Sequence, residues 1–169
     1  MEIKVVDDFL SPGQLKEIQE MMIFNQKFPF HFSEVTHTSS LSKEYWNWYA
    51  NHLFYEHERS TSDYFKFVYD IFIPRLREVD NLQSLMRIKG NFYPYTSTLK
   101  EHDSHIDYEF TSRAAIFCVN TCDGFTRLDD GSKIDSVENR IFFFDGSKPH
   151  NSSTTTTAAG RFNINFNYI

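Results

Sequence analysis

From Arg161 to Tyr168 the chain alternates without a break. Arg161, Asn163, Asn165 and Asn167 occupy one side, and Phe162, Ile164, Phe166 and Tyr168 the other. Successive side chains of a strand point to opposite faces, so this period of two predicts a β-strand with one apolar and one polar face. The apolar face has to bury itself against another layer. The polar face is harder to place, because Asn is a poor strand former. It is either the solvated side of an edge strand or a polar interior that binds something.

Similar short runs precede it from about Leu85 onward. Strands are predicted at Met86–Tyr95, Arg113–Thr121, Lys133–Val137 and Asn139–Asp145, punctuated by Asp123-Gly124, Asp130-Gly131 and Asp145-Gly146. The first half reads differently. After a short strand at Ile3–Val6, Ser11-Pro12-Gly13-Gln14 has the form of a capping box with Pro at the first helical position, followed by Leu15, Ile18 and Met22 on one face. A second helix is predicted from about Lys43 to His57. A third is predicted from near Ser62, with Phe65, Val68, Phe72 and Leu76 on a common face and a kink or restart at Pro74. Helices followed by many strands indicate an α+β, mainly β chain: a barrel or sandwich with helices on one side. No linker divides it, so one domain over 1–169 is expected, with 1–84 as a helical support region and 85–169 as the strand-rich core.

Aromatic residues make up 17% of the chain, including 18 Phe. Three clusters fall between Phe28 and Ser62: Phe28-Pro29-Phe30, Tyr45 to Tyr49, and Phe54-Tyr55. They are read as core packing against the barrel, with a lid or substrate wall as the alternative. A net charge of -6 disfavours general nucleic-acid binding, which relies on Lys and Arg at phosphates. No apolar stretch is long enough to span a membrane. The acidic start MEIKVVDDF lacks a secretory pattern, and Cys118 and Cys122 suit reduced thiols, so a cytoplasmic location is expected.

The residues that carry chemistry begin at His105 and Asp107. Two apart on an extended segment, they share a face and can offer an imidazole and a carboxylate to one metal. Alone, His-x-Asp is a weak signal that a polar turn would also explain. His150 follows a predicted strand and can supply a distant third ligand. Two histidines and a carboxylate on one face of an octahedron suit Fe(II) with open positions. Arg161, eleven residues later, has a planar fork suited to a carboxylate. If the intervening loop closes a hairpin, His150 and Arg161 lie on neighbouring antiparallel strands. Asn91 and Tyr93 share a face on the strand before His105. His102, with Ser104 rather than an acid two residues on, is read as polar lining or surface. The hydroxyl-rich run Ser152 to Thr157 is read as a surface loop.

The order Asn91-x-Tyr93, His105-x-Asp107, His150, Arg161-x-Asn163 resembles the 2-oxoglutarate and Fe(II)-dependent oxygenase superfamily, and within it the small prolyl-4-hydroxylase-like enzymes of bacteria and phages. Val5-Val6-Asp7-Asp8-Phe9-Leu10-Ser11, the stretch Val119 to Thr126 and the aromatic run before Pro149-His150 are similar to the same group. The resemblance is densest over 87–168. It implies a double-stranded β-helix (jelly-roll) core with N-terminal helices. It implies Fe(II) held by His105, Asp107 and His150, with 2-oxoglutarate as cosubstrate and O2 as oxidant. It implies that Arg161 and Tyr93 bind the cosubstrate, with Asn91 and Asn163 near it. Arg161 stands where many prolyl hydroxylases use Lys, although Arg occurs in other branches. The implied activity is hydroxylation of a prolyl or other peptide side chain, or of a small molecule. A non-catalytic jelly-roll or cupin-like metal- or ligand-binding module is the alternative. Neither the substrate nor an oligomeric state is specified by these motifs.

Overall fold

The computed structural model describes residues 2–34 and 46–169. The elements in chain order are β1 (Lys4–Val6), α1 (Pro12–Gln19), a π-helical turn (Glu20–Phe24), β2 (His31–Glu34), β3 (Trp48–Glu56), β4 (Arg59–Ser60), α2 (Phe65–Asp80), β5 (Leu85–Pro94), β6 (Arg113–Cys118), β7 (Phe125–Leu128), β8 (Lys133–Asp135), β9 (Ile141–Asp145), β10 (His150–Ser152) and β11 (Gly160–Tyr168). The chain is mainly β. An antiparallel major sheet runs β1-β9-β6-β11-β5-β3-β2, with β4 beside β3, and a minor sheet runs β10-β7-β8. This is the two-sheet arrangement of a jelly roll.

Strand β11 lies at the centre of the major sheet, between β5 and β6. Its asparagine face is therefore not the outside of an edge strand: Asn163, Asn165 and Asn167 are all buried. Its other face joins the larger core, where Ile164, Phe166 and Tyr168 meet Ile18 and Met22 of the first helical segment and Val68, Phe72 and Leu76 of α2. Strand β6 divides in the same way. Ala115 and Phe117 face the helices, while Ala114, Ile116 and Cys118 join Leu128, Phe142 and Phe144 in a smaller core that includes minor-sheet residues. Each fully buried Phe contributes about 1.5–3 kcal/mol, so the helical layer fixes the outer face of the sheet.

The N-terminal cap forms as predicted. Gln14 N–H donates to Ser11 Oγ at 3.3 Å, and Ser11 N–H donates to Gln14 Oε1 at 3.1 Å. Helix α2 runs through Pro74 without restarting. The helix expected over Lys43 to His57 is not found where the structure describes it. Residues Trp48 to Glu56 form β3, paired with β2 and β5. Ala50, His52 and Phe54 alternate inward there with period two, and Trp, Tyr and Phe favour a pleated surface that a neighbouring strand can cover. The first part of that predicted helix, and Tyr45, lie outside the described residues. Strands β2 to β4 therefore extend the major sheet from within the stretch expected to be helical support. Phe28 and Phe54 are core residues, as the packing reading of the aromatic segment expects.

The run Ser152 to Thr157 is not a simple surface loop. Ser153, Thr154 and Thr155 are fully buried. Asp123 accepts hydrogen bonds from the Thr155 hydroxyl at 2.7 Å and the Thr156 N–H at 2.8 Å, so a carboxylate from the neighbouring segment holds the turn inward. The two cysteines are free, and Cys118 is buried. No described helix is long and apolar enough to cross a membrane.

Candidate active site

The inner faces of β5 and β11 meet rung by rung. Arg161 stands opposite Tyr93, Asn163 opposite Asn91, Asn165 opposite Lys89, and Asn167 opposite Arg87. Period two on both strands turns all eight side chains to one side. Asn91 Nδ2 donates to Asn163 Oδ1 at 2.8 Å across the second rung.

At the Arg87 end the fold brings His105, Asp107 and His150 together, with their ligand atoms within 4.8 Å of one another. Backbone hydrogen bonds in both directions, each 2.9 Å, tie His105 to His150 and set their rings 4.5 Å apart. His150 Nδ1 lies 3.0 Å from the Lys148 carbonyl. A carbonyl can only accept, so Nδ1 carries a proton, and Nε2 is the nitrogen left to face a metal. That Nε2 is 3.8 Å from Asp107 Oδ2. The Asp107 carboxylate is itself fixed. Arg87 Nη2 donates to Oδ1 at 2.7 Å and Asn167 Nδ2 to Oδ2 at 2.8 Å. Burial opposes its charge, but the positive charge of a protonated His150, together with Arg87 and Asn167, outweighs burial and holds its pKa below the usual carboxylate range. Two imidazoles and an ionised carboxylate, oriented by outer partners, form a donor set that fits Fe(II).

Arg161 lies at the other end and is fully buried. Its Nη2 crosses from the major sheet to donate to Thr126 Oγ1 on β7 at 2.8 Å. Its Nε and Nη1 have no hydrogen-bond partner among the described residues. Leaving such donors unsatisfied is costly, and a carboxylate at the Nη1/Nη2 edge would relieve part of that cost with charge-assisted hydrogen bonds. Tyr93 packs against the guanidinium, with the ring centroid 5.4 Å from Cζ. Burial pushes the Tyr93 phenol above its ordinary pKa, so it remains a neutral donor. His150 and Arg161 do not share a hairpin. His150 pairs with β7 in the minor sheet, whereas Arg161 belongs to the major sheet. The loop between them crosses between the sheets because Ser153 to Thr155 are drawn into the interior rather than closing a turn.

Along β5 is a cavity of about 300 Å³, whose lining includes Tyr49, Arg87, Lys89, Tyr93, His102 and Asp107. His102 is polar lining, as one of its two predicted placements had it. It is buried, with Nδ1 2.8 Å from Ser152 Oγ, and burial lowers its pKa to about 4. Sequence reasoning passed over Arg87, Lys89 and Tyr49. The period-two rule that places Asn91 beside Tyr93 also places Lys89 and Arg87 there, so two of the three were within reach. Tyr49 was hidden by the helical reading of its segment. It stacks on Tyr93 at 5.7 Å, which makes part of the aromatic stretch a cavity wall.

No family model matches the chain, and no curated protein matches its sequence. Solved structures do resemble it. A prolyl-4-hydroxylase from Pseudomonas putida has a TM-score of 0.66 at 12% identity, covering 98% of this chain and 91% of that one. The fold is that of the 2-oxoglutarate/Fe(II) oxygenases. The non-heme alpha-ketoglutarate-dependent epimerase SnoN from nogalamycin biosynthesis has a TM-score of 0.71 at 10% identity, covering 99% of this chain and 78% of that one. A prolyl hydroxylase from Trichoplax adhaerens, in complex with a hypoxia-inducible-factor peptide fragment, has a TM-score of 0.64 at 17% identity, covering 99% and 83%.

Proposed function

We propose that this chain acts, as one domain over 1–169, as a dioxygenase that uses Fe(II), 2-oxoglutarate and O2 to oxidise a C–H bond, as a hydroxylase does. The observation that carries this reading is the placement of two groups along one strand pair: a His-Asp-His cluster at one end and, opposite Tyr93 at the other, a buried arginine with two donors unsatisfied among the described residues. His105, Asp107 and His150 would hold the metal. Arg161 would take the distal carboxylate of 2-oxoglutarate, with Tyr93 beside it and Asn91 and Asn163 along the path. Bound together, metal and cosubstrate supply oxidative decarboxylation to succinate and CO2 with transfer of oxygen to the substrate.

The chain's own residues do the rest. The contact of His150 Nδ1 with the Lys148 carbonyl leaves Nε2 as the nitrogen that would meet the metal. Arg87 and Asn167 fix the rotamer and charge of Asp107. The inner face of β5, backed by β11, would shield the cosubstrate from bulk water and orient it between cluster and guanidinium. Prolyl hydroxylases among the structural neighbours make a peptide side chain one candidate substrate, and the epimerase makes a small molecule another.

Anaerobic addition of Fe(II) and 2-oxoglutarate is expected to produce a weak visible charge-transfer band, and His105→Ala is expected to abolish it. A wild-type protein that develops no band at saturating ligand overturns the proposal.

A further inference from the structure

Three cations line the inner faces of β5 and β11, and two are accounted for. Arg161 awaits the cosubstrate in the reading above, and Arg87 is spent on Asp107 and Asn167, to which it donates at 2.7 and 3.0 Å. The third, Lys89, lines the cavity and stands opposite Asn165 on β11. Its Nζ lies 5.7 Å from the Tyr49 ring centroid, and it forms no hydrogen bond or ion pair among the described residues. The nearby acids do not take this role. Asp107 is held by Arg87, Glu56 sits on β3 opposite Arg87 with its carboxylate 3.7 Å from His57 Nε2, and Asp103 is exposed at the cavity mouth. Desolvation lowers the Lys89 pKa to about 8, which still leaves it mostly charged at neutral pH. Holding a solvent-poor ammonium without a counterion costs stability. Metal and 2-oxoglutarate do not cancel it, since a divalent cation and a dianion sum to zero.

We propose that Lys89, with Tyr49 beside it, forms an anion subsite in the cavity and that the compound oxidised carries a carboxylate which pairs with this ammonium. The inference rests on the metal and cosubstrate reading for what is oxidised, but not for the binding of the anion. A carboxylate fits a single ammonium better than a phosphate dianion, which would call for more donors. Its source is the substrate rather than the 1-carboxylate of 2-oxoglutarate.

Two matched probe pairs test this: propionate against propionamide, and benzoate against benzamide. Each is titrated by calorimetry into protein loaded with Zn(II) and 2-oxoglutarate, and into metal-free protein. Carboxylates are expected to bind about tenfold more tightly than their amides. Lys89→Met should erase that preference and Lys89→Arg should restore it, with unfolding curves confirming that both variants fold. Affinity for 2-oxoglutarate, measured separately, should stay within about twofold in Lys89→Met. Equal binding of acid and amide overturns the subsite. So does a large loss of 2-oxoglutarate affinity in Lys89→Met, which would assign the ammonium to the cosubstrate. A Lys89-dependent carboxylate preference in protein that binds neither metal nor 2-oxoglutarate would retain the subsite and overturn the oxygenase reading.

Discussion

Gly124 leaves room for Arg161: a Cβ at Gly124 would stand 2.7 Å from Arg161 Cδ and 2.8 Å from the Thr154 carbonyl oxygen. Neither contact is tolerable, and the carbonyl belongs to a segment that Asp123 already holds. The bare backbone of one turn therefore sets where the guanidinium can lie. Gly124→Ala is expected to push the arginine off its line, weakening 2-oxoglutarate binding about tenfold and lowering stability by about 1–3 kcal/mol. Calorimetric titration and denaturant unfolding check the two effects separately.

Arg161 should trade stability for binding. Its buried guanidinium makes one hydrogen bond and leaves two nitrogens unpaired. Replacing a poorly satisfied buried charge with an apolar side chain of similar length is often neutral or stabilising. Arg161→Met is expected to melt no lower than wild type in the absence of ligands. It should also lose the rise in Tm that 2-oxoglutarate and Fe(II) give the wild type under argon. A marked drop in Tm for the ligand-free variant would contradict this.

Asp107 and Arg87 behave as a unit. Asp107→Ala leaves the half-buried Arg87 with its main partner gone, which should cost about 2–4 kcal/mol, in addition to abolishing metal binding. The double variant Asp107→Ala/Arg87→Met removes both charges and should recover most of that stability without recovering the metal. A double-mutant cycle by urea unfolding measures the coupling.

His102 links stability to pH. Its folded pKa, about 4, is below the ordinary value of 6.5, because burial and the nearby Arg161 disfavour its protonated form. The unfolded chain therefore takes up the proton first. The stabilising contribution is complete above about 6.5 and is lost as pH falls from there toward about 4. His102→Gln should flatten the stability profile in that window compared with wild type. Urea midpoints at a series of pH values make the comparison, and parallel profiles would argue against the assignment.

Much of the site was legible along the chain, for a definite reason. Alternation on a strand is local, so Arg161 with Asn163, and Tyr93 with Asn91, could be put on shared faces without knowing what those faces met. The same rule extended two rungs back would have reached Lys89 and Arg87. The spacing of His105 and Asp107 is also local. The capping box at Ser11 formed because its partners are three residues apart. The errors fell where partners are distant. Trp48 to Glu56 is a strand because β5 lies beside it, and Ser153 to Thr155 are buried because Asp123 and the minor sheet reach them.

By itself the sequence determined the strand that ends the chain, its two unlike faces, and the residue types able to hold a metal and a carboxylate. Only the tertiary structure decided that the polar face points inward. Strand β11 is central because β5 and β6 flank it and the helices claim its apolar side, which leaves Arg161 and the asparagines no route to solvent. The fold also decided that His150 approaches from the opposite sheet, so that cluster and guanidinium stand at opposite ends of the β5–β11 pair rather than sharing a hairpin. Hydrophobic burial of one face of β11 is nonlocal, and it is what turned an alternating pattern into a site.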